Sequence, residues 1–471
     1  MSSSRARARR ARLILATAVV GLGSPLVGGA AQASAPGTTV DFALVGDMPY
    51  ATDFSSTTAM PNWVADLNGS GIQFVAHSGD MKGGSDSCAD ARMTTTQGYY
   101  NQLNVPFWLT PGDNDWTDCH RNNNGDAAGL GFDPLERLAL VRSMYFSNAH
   151  QTTVGGVGPG VSPIALNTQA DSTVDAEKAF VENTYFNKDC VTFGDVHSVS
   201  SANGRLTPTQ GSLIKSSSSN YINAHVGTGD YNALQAARNT EVAARSAAAL
   251  AWIDKIFDAA QADPNNEAVF LMMQAEPALY GDQPPATGNY LLSTTDPYGV
   301  TETPIYGNDQ VSHYDEFWDL RKKVYDRAQA YGKPVVIAHG DQHTYTLTYN
   351  YLNMNQSKKG ADASTGASIA TGLPDLPALS NVTRLENFGS NGATNSGTKN
   401  WVEVRATCGT DYVFAQRPRA VGTAPGAFVN FPANSPPPTV PESPFPILLV
   451  LSGVAVGGAV LLATRRRSTA A

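Results

Sequence analysis

The sequence is poor in cysteine, and its cysteines do not stand at the spacing of thiolate metal sites. Four cysteines occur in 471 residues, and no C-x-x-C pair is among them. In an exported chain this pattern favours two disulfides over metal thiolates. No internal repeat is visible, so a stacked-repeat architecture is not indicated.

Basic residues are scarce in the body of the chain. Eight of the 32 basic residues are arginines near the two ends, which leaves 24 basic against 41 acidic residues and a net charge of about −17. The body lacks the basic stripe that nucleic-acid binding needs, so no nucleic-acid partner is expected. An excess of acid is also consistent with carboxylates that bind cations.

Residues 1–33 are predicted to be a signal peptide. Five arginines precede an apolar run over Leu13–Val27, and Ala31-Gln32-Ala33 fits a cleavage site, with Ala33-Ser34-Ala35 as a near alternative. The run is short and is broken by Pro25, which disfavours a spanning helix. A twin-arginine signal at Arg9-Arg10 is an alternative to ordinary secretion, which is favoured.

A membrane anchor is expected near the other end. Residues 433–444 form a proline-rich spacer, and 445–463 are nearly all apolar, close to the ~20 residues that span a bilayer. The basic tail, 464–471, should stay on the cytoplasmic side. We therefore expect a cell-surface protein, anchored in the cytoplasmic membrane, with its body at 36–432 outside.

Apolar runs alternate with amphipathic stretches in this body, which favours an α/β sheet. The sequence predicts five buried strands: Val40–Val45, Ile72–His77, Val105–Leu109, Ala268–Met273 and Pro334–Ala338.

Two helices are predicted from their apolar spacing, over Thr240–Ala262 and Asp315–Tyr331. Three further runs, Leu385–Phe388, Trp401–Ala406 and Tyr412–Ala415, are interpreted as strands of a second sheet.

Each of the five predicted strands is followed by polar residues. Because ligands of open α/β sheets bind at the carboxyl ends of strands, these side chains should meet at one edge. Clustered carboxylates repel one another unless cations neutralise them. The sequence therefore predicts a metal site, whose candidates are Asp47, Asp80, Asp113, Gln274 and the segment His339-Gly340-Asp341-Gln342-His343.

These blocks resemble those of the calcineurin-like metallophosphoesterases. The matching stretches are VGDMPY, HSGDMKGG, LTPGDNDW and Gly340–His343, and the resemblance runs from about residue 40 to 415. It implies an α/β fold of two packed mixed β-sheets flanked by helices, a four-layer sandwich. It also implies two divalent metal ions about 3–4 Å apart and hydrolysis of phosphate mono- or diesters through a metal-bridging hydroxide.

The resemblance assigns a ligand role to each block. It implies that Asp80 bridges both ions and that Asp47 and His343 hold the first. The residues implied for the second ion are Asp113, Gln274 and Asp341.

Several positions depart from the family pattern. Pro49, Gln274 and Asp341 stand where the family has histidine, and the last two supply oxygen donors in place of imidazoles. This favours Mn²⁺, Mg²⁺ or Ca²⁺, with Fe or Zn²⁺ less suited. Asn114 occupies the position of the usual proton donor, and it is a candidate catalytic residue together with Asp115.

Three other side chains have two interpretations each. His120 follows Cys119 and could replace the missing general acid, or it could be a structural histidine. His339 could act as a metal ligand in place of Asp341, or it could pack in the core. Tyr50 could supply an oxygen ligand, but packing is the favoured interpretation.

Four cysteines allow three pairings, and we predict Cys88–Cys119 with Cys190–Cys408, because the first pair flanks two loops expected to converge. For function, the sequence favours an extracytoplasmic metal-dependent phosphoesterase acting on a phosphate ester of unknown identity. The alternative is a catalytically silent, metal-stabilised binding domain of the same fold.

Overall fold

A computed structural model describes residues 35–54, 56–121, 131–152, 162–204, 229–277, 317–352, 358–361, 368–370, 376–390, 398–411 and 413–431. These residues fall within one compact unit, Ala33–Ala471. The predicted signal, spacer, anchor and basic tail lie outside the described residues. Within the described ranges, no helix is both long and apolar enough to cross a membrane.

The described chain alternates strands and helices. In chain order the strands are β1 (Thr39–Val45), β2 (Phe74–His77), β3 (Phe107–Leu109), β4 (Asn167–Thr168), β5 (Thr184–Lys188), β6 (Val191–Asp195), β7 (Ala268–Met272), β8 (Val335–His339), β9 (Thr346–Tyr351), β10 (Lys358–Ala361), β11 (Ser368–Ala370), β12 (Leu379–Glu386), β13 (Asn400–Thr407), β14 (Phe414–Ala420) and β15 (Val429–Asn430). The helices are α1 (Ala51–Phe54), α2 (Ala59–Gly69), α3 (Asp90–Tyr100), α4 (Pro134–Tyr145), α5 (Ser200–Asn203), α6 (Gly229–Ala262) and α7 (Trp318–Tyr331).

Two mixed sheets contain nearly all of these strands. The first has the order β15-β14-β13-β1-β2-β3, and the second has the order β4-β5-β6-β7-β8-β12-β9. Strands β1, β2 and β3 run parallel, as do β6, β7, β8 and β12, so their carboxyl ends lie at one edge of each sheet. Strands β10 and β11 form a separate two-stranded ribbon.

The sheets pack face to face through alternate residues of their strands. Phe42 of β1 lies between the sheets, stacked on Phe74 at 4.8 Å between ring centroids. The rings of Phe193 and Phe270, from the second sheet, meet Phe42 edge-on at 5.3 and 4.9 Å. Burial of such rings contributes about 1.5–3 kcal/mol each, which makes this layer the main core.

Helices cover both outer faces. Helices α2, α3 and α4 bury apolar residues against the side of the first sheet that carries Ala43 and Val45. Helices α6 and α7 cover the side of the second sheet that carries Val269 and Leu271. These two sheets with helices on either side confirm the predicted α/β sandwich of two mixed β-sheets.

The predicted division of strands between the sheets was wrong in part. Strands β13 and β14, expected in a second sheet, belong to the first sheet, where β13 pairs with β1 and β14 pairs with β13. Strand β12, expected with them, pairs instead with β8. Sheet membership depends on pairing between distant segments, and apolar runs carry no record of their partners. Helix α6 also begins at Gly229, well before the predicted start.

Both predicted disulfides are confirmed. Cys88–Cys119 joins the loop after β2 to the loop after β3, at the edge where the carboxyl ends of these strands lie. Cys190–Cys408 joins the residue before β6 to the residue after β13, so it links the two sheets. Because β13 runs antiparallel to β1, this second bond lies at the opposite end of the sandwich.

We expect the double variant Cys190→Ala, Cys408→Ala to destabilise the fold without disturbing the aspartates that follow β1, β2 and β3. The bond closes a sequence separation of 218 residues, and losing it should lower the free energy of unfolding by about 2–5 kcal/mol. Urea denaturation gives this difference, and calorimetry of Mn²⁺ binding provides the control. An unchanged denaturation midpoint, or loss of cation binding with the fold intact, would contradict this expectation.

Candidate metal centre

Left-handed backbone turns follow β1, β2 and β8. Asp47, Asp80, Asp341 and His343 have φ values of 52°, 59°, 75° and 60°. Non-glycine residues enter this region at a cost of the order of 1–3 kcal/mol each, and such residues cluster at functional sites. All four are residues that the sequence predicts as metal ligands, and they make up half of the eight non-glycine residues with positive φ in the described ranges.

Three carboxylates converge where the two sheets meet. One oxygen each from Asp80, Asp113 and Asp341 lies within 4.8 Å of the others, and we call these residues the aspartate triad. Asp80 and Asp113 follow strands of the first sheet, and Asp341 follows β8 of the second. The predicted strand-end cluster therefore exists as a geometric arrangement.

Gln274, which follows β7, contacts all three members of the triad. Its Nε2 lies 3.3 Å from an oxygen of Asp80, 3.1 Å from Asp113 and 3.2 Å from Asp341. Its Oε1 accepts a hydrogen bond of 2.6 Å from the backbone N–H of Ser200. The side chain thus faces the carboxylates with its nitrogen.

Asp47, His343 and Tyr50 form a second group beside the triad. His343 Nε2 lies 3.4 Å from Asp47 Oδ1 and 3.0 Å from the Tyr50 hydroxyl. Asn387 donates to Asp47 Oδ2 at 3.0 Å, and the backbone N–H of Asp341 donates to the same carboxylate. Two ligand types, carboxylate and imidazole, therefore lie next to a hydroxyl oxygen.

Asn114 and Asp115 have different surroundings. The Asn114 amide donates to Asp80 Oδ2 at 2.8 Å and to the Tyr50 hydroxyl at 3.2 Å, so it lies between the two groups. The buried Asp115 carboxylate instead accepts backbone N–H groups of Gly112, Asp80 and Met81 at 2.7 to 3.1 Å. Asp115 therefore fixes the loops after β2 and β3 to each other.

The loops approach so closely that glycine is required at Gly112. A Cβ atom there would lie 2.0 Å from Asp80 Oδ1 and 2.3 Å from the Asp80 backbone nitrogen. No rotation of the Asp80 side chain relieves the second contact, since it is to backbone. The glycine thus allows the Asp80 and Asp113 loops to pack.

The pKa values of the site residues indicate an excess of negative charge at the triad and beside it. Burial raises the pKa of Asp80 well above its ordinary value, and the charges of Asp113 and Asp47 raise it further. Burial and then the charge of Asp113 raise the pKa of Asp341 to about 7. Burial lowers the pKa of His343, but the hydrogen bond to Asp47 outweighs this effect, and the pKa is raised overall. A cation would relieve this repulsion.

The donor chemistry fits a divalent cation at the triad. Three carboxylate oxygens from separate loops converge, and oxygen donors are what Mg²⁺, Ca²⁺ and Mn²⁺ prefer. Asp47, His343 and the Tyr50 hydroxyl are further donors beside it. Gln274 does not fit the ligand role that the resemblance implies, because its nitrogen faces the carboxylates.

Two predicted histidines lie in buried hydrogen-bonded positions. His120 has its Nδ1 at 2.6 Å from the Thr117 carbonyl, and burial lowers its pKa to about 3. His339 Nδ1 contacts the Gly340 carbonyl at 2.8 Å, and its Nε2 accepts from Arg384 Nε at 2.8 Å. Since both ring nitrogens of His339 are used in these bonds, the structure does not bring it into the triad.

Two residues of the site were not assigned to it from the sequence. Tyr50 was interpreted as a packed aromatic, yet its hydroxyl contacts His343 and Asn114. Asn387 directly follows β12, so the strand-end pattern that identified the aspartates also applies to it. It was missed because the predicted strand extended to Phe388 and included it.

A buried ionic network supports the loop that holds Gln274. Glu182 accepts hydrogen bonds from Arg142, at 2.5 and 2.9 Å, and faces His197 Nδ1 at 2.7 Å. The next residue, Ser198, accepts the backbone N–H of Gln274 through its carbonyl. Burial opposes ionisation of Glu182, but Arg142 and His197 hold its pKa well below the ordinary value.

No protein-family model matches the chain, and no curated protein matches it either. Among solved structures it is similar to GAP50, the anchor in the inner membrane complex of Plasmodium, at 8% identity and a TM-score of 0.35, covering 84% of this chain and 90% of that one. It is also similar to PhoD, at 10% identity and a TM-score of 0.41, covering 85% of this chain and 70% of PhoD. The third structure is the purple acid phosphatase PPD1 of yellow lupin, at 12% identity and a TM-score of 0.34, covering 84% of this chain and 53% of that one. At such values neither activity nor ligands carry over to this chain.

We expect Glu182→Gln to cost about 3–5 kcal/mol of unfolding free energy at pH 7, because it breaks a buried ion pair. A carboxylate whose folded pKa is depressed stabilises the fold above its unfolded pKa, about 4.3, and this stabilisation is lost as pH falls. The difference between wild type and variant should therefore shrink below about pH 4.

Urea denaturation across pH measures this difference. Glu136→Gln is the matched control, since Glu136 is half exposed in its ion pair with Arg137, and its effect should stay within about 1 kcal/mol. A Glu182→Gln difference that does not vary with pH would contradict the ionic role.

Proposed function

We propose that the chain is an extracytoplasmic, metal-dependent hydrolase of phosphate mono- or diesters. The observation that carries this proposal is the aspartate triad, in which Asp80, Asp113 and Asp341 converge within 4.8 Å at the strand ends. The triad contacts the carboxamides of Asn114 and Gln274. Phosphate esters suit such a centre because their oxygens are also anionic and need a cation between them and the carboxylates.

The donor set favours Mn²⁺, Mg²⁺ or Ca²⁺. When bound, a divalent cation neutralises charge on phosphate oxygens and makes a water molecule more acidic. Asp80, Asp113 and Asp341 would hold it, with Asp47 and His343 as donors on the adjacent side. The Tyr50 hydroxyl lies beside these groups, where it could orient an ester oxygen.

Localisation is part of the proposal. Two disulfides are typical of proteins outside the cytoplasm. Residues 1–33 would direct export, and 445–463 would anchor the chain with its body outside the membrane.

One observation favours the alternative, a silent domain stabilised by a cation. Asn114, at the position of the family's proton donor, has a carboxamide that cannot transfer a proton at working pH. A domain without a proton donor could bind a cation and a partner without turnover. The two functions differ in their response to loss of a triad carboxylate.

Asp80→Asn should abolish hydrolysis. The change removes a carboxylate from the centre of the triad, and activity towards aryl phosphate mono- and diesters with Mn²⁺ should fall by more than about a hundredfold. The matched control is Asp175→Asn, because this aspartate is 93% exposed in a surface ion pair. If wild type binds Mn²⁺ yet hydrolyses no ester with any cation, the binding domain is supported instead.

Hydrolysis should depend steeply on the leaving group. General acid catalysis contributes about 10²–10⁴-fold, and neither Asn114 nor the neutral, buried His120 provides it at neutral pH. Aryl esters, whose leaving groups depart without a proton, should therefore be cleaved at least about a hundredfold faster than alkyl esters. Asn114→His should reduce the ratio of the aryl to the alkyl cleavage rate, because it supplies an imidazole that can act as the proton donor. Equal rates for both esters in wild type would show that another proton donor acts.

A further inference from the structure

The orientation of the Gln274 amide is fixed by a donor that has no alternative role. A backbone N–H can only donate, so the side-chain atom that lies 2.6 Å from the Ser200 nitrogen must be the amide oxygen. The other end of the amide, with its two N–H groups, therefore faces the aspartate triad. Turning the amide over would place two donors against each other at this distance.

The surroundings of Gln274 oppose such a turn. The residue is fully buried, and the Ser198 carbonyl accepts the backbone N–H groups of both Gln274 and Ala275. Its Cγ would lie only 3.0 Å from a Cβ on Gly79, so the loop after β2 closes over the side chain. Backbone and side chain of Gln274 are thus both held by the segment that follows β6.

The amide joins carboxylates that belong to different sheets. Gln274 Nε2 reaches Asp80 and Asp113 from the first sheet and Asp341 from the second, each at 3.1 to 3.3 Å. Hydrogen bonds to charged acceptors are about twice as strong as neutral ones. Two N–H groups therefore offset part of the repulsion that would otherwise separate these loops.

A cation and an N–H group use the same carboxylate lone pairs, so they compete. We propose that Gln274 is a positioning residue that gathers the triad through its N–H groups and competes with the cation, rather than a ligand that binds it. This inference rests on the proposed cation site, and it concerns how that site is held, not whether the chain hydrolyses esters.

The two roles predict opposite effects of removing the amide. If Gln274 were a ligand, its loss would weaken cation binding. If it competes, Gln274→Ala frees three carboxylate oxygens and leaves space for water, which is itself an oxygen ligand. In wild type, Mn²⁺ must displace the hydrogen bonds that Gln274 donates to the carboxylates, and in the variant these bonds are absent. We therefore expect the variant to bind Mn²⁺ about tenfold more tightly.

Two measurements test this on the full chain, with Mn²⁺ alone as the probe. Titration calorimetry gives the dissociation constant, and thermal unfolding with and without Mn²⁺ gives the cation-induced shift in Tm. The variant should melt lower than wild type without the cation, because its carboxylates have lost their donor. Its shift on adding Mn²⁺ should be larger, whereas a variant that has lost a ligand would show a smaller shift.

The controls separate the possible failures. Gln73→Ala removes a half-buried glutamine directly before β2 and should leave the Mn²⁺ dissociation constant and the Mn²⁺-induced shift in Tm unchanged. Gln274→Leu keeps the buried volume if the alanine variant does not fold, and it should bind Mn²⁺ no more weakly than wild type. Weaker binding by both Gln274 variants would overturn the competing role while leaving the cation site intact. Absence of Mn²⁺ binding to wild type would overturn the site itself, and this role with it.

Discussion

Repulsion between aspartates that converge at the strand ends is the constraint on which this structure depends. Two unit charges 4 Å apart repel by about 4 kcal/mol at an effective dielectric constant of 20, and such repulsion is one cause of the raised pKa values of Asp80 and Asp341. Such a cluster stays together only if donors or a cation surround it. The structure supplies carboxamides: Asn387 donates to Asp47, Asn114 to Asp80, and Gln274 to all three triad members.

The same constraint explains features of the backbone nearby. Asp47, Asp80, Asp341 and His343 all adopt left-handed conformations that cost energy, and all four belong to the site. Gly112 permits an approach to Asp80 that any side chain would block. The rest of the sandwich opposes this cost, because the aromatic layer packs the two sheets against each other.

Sequence could predict the parts of the site that depend on local pattern. Asp47, Asp80 and Asp113 each follow an apolar run and a glycine, and this pattern is visible without knowing the strand's partners. The partition of β12 and β13 between the sheets was not predictable in this way, because pairing joins segments far apart in the chain. The orientation of the Gln274 amide was also not predictable from local pattern, because it is set by a contact with Ser200, 74 residues away.

Two positions of the site that the sequence resemblance assigns to histidine, Asn114 and Gln274, are carboxamides, and this limits what the proposed site could do. An imidazole can ligate a cation, accept a proton or donate one, whereas a carboxamide near neutral pH only donates and accepts hydrogen bonds. Asn114 and Gln274 can therefore hold carboxylates and orient oxygens, but neither can move a proton. In the proposed function the chemistry left to the centre is electrostatic: it would gather charge, bind a cation and position an anionic ester. Under that proposal, turnover would depend on esters whose leaving groups need no proton.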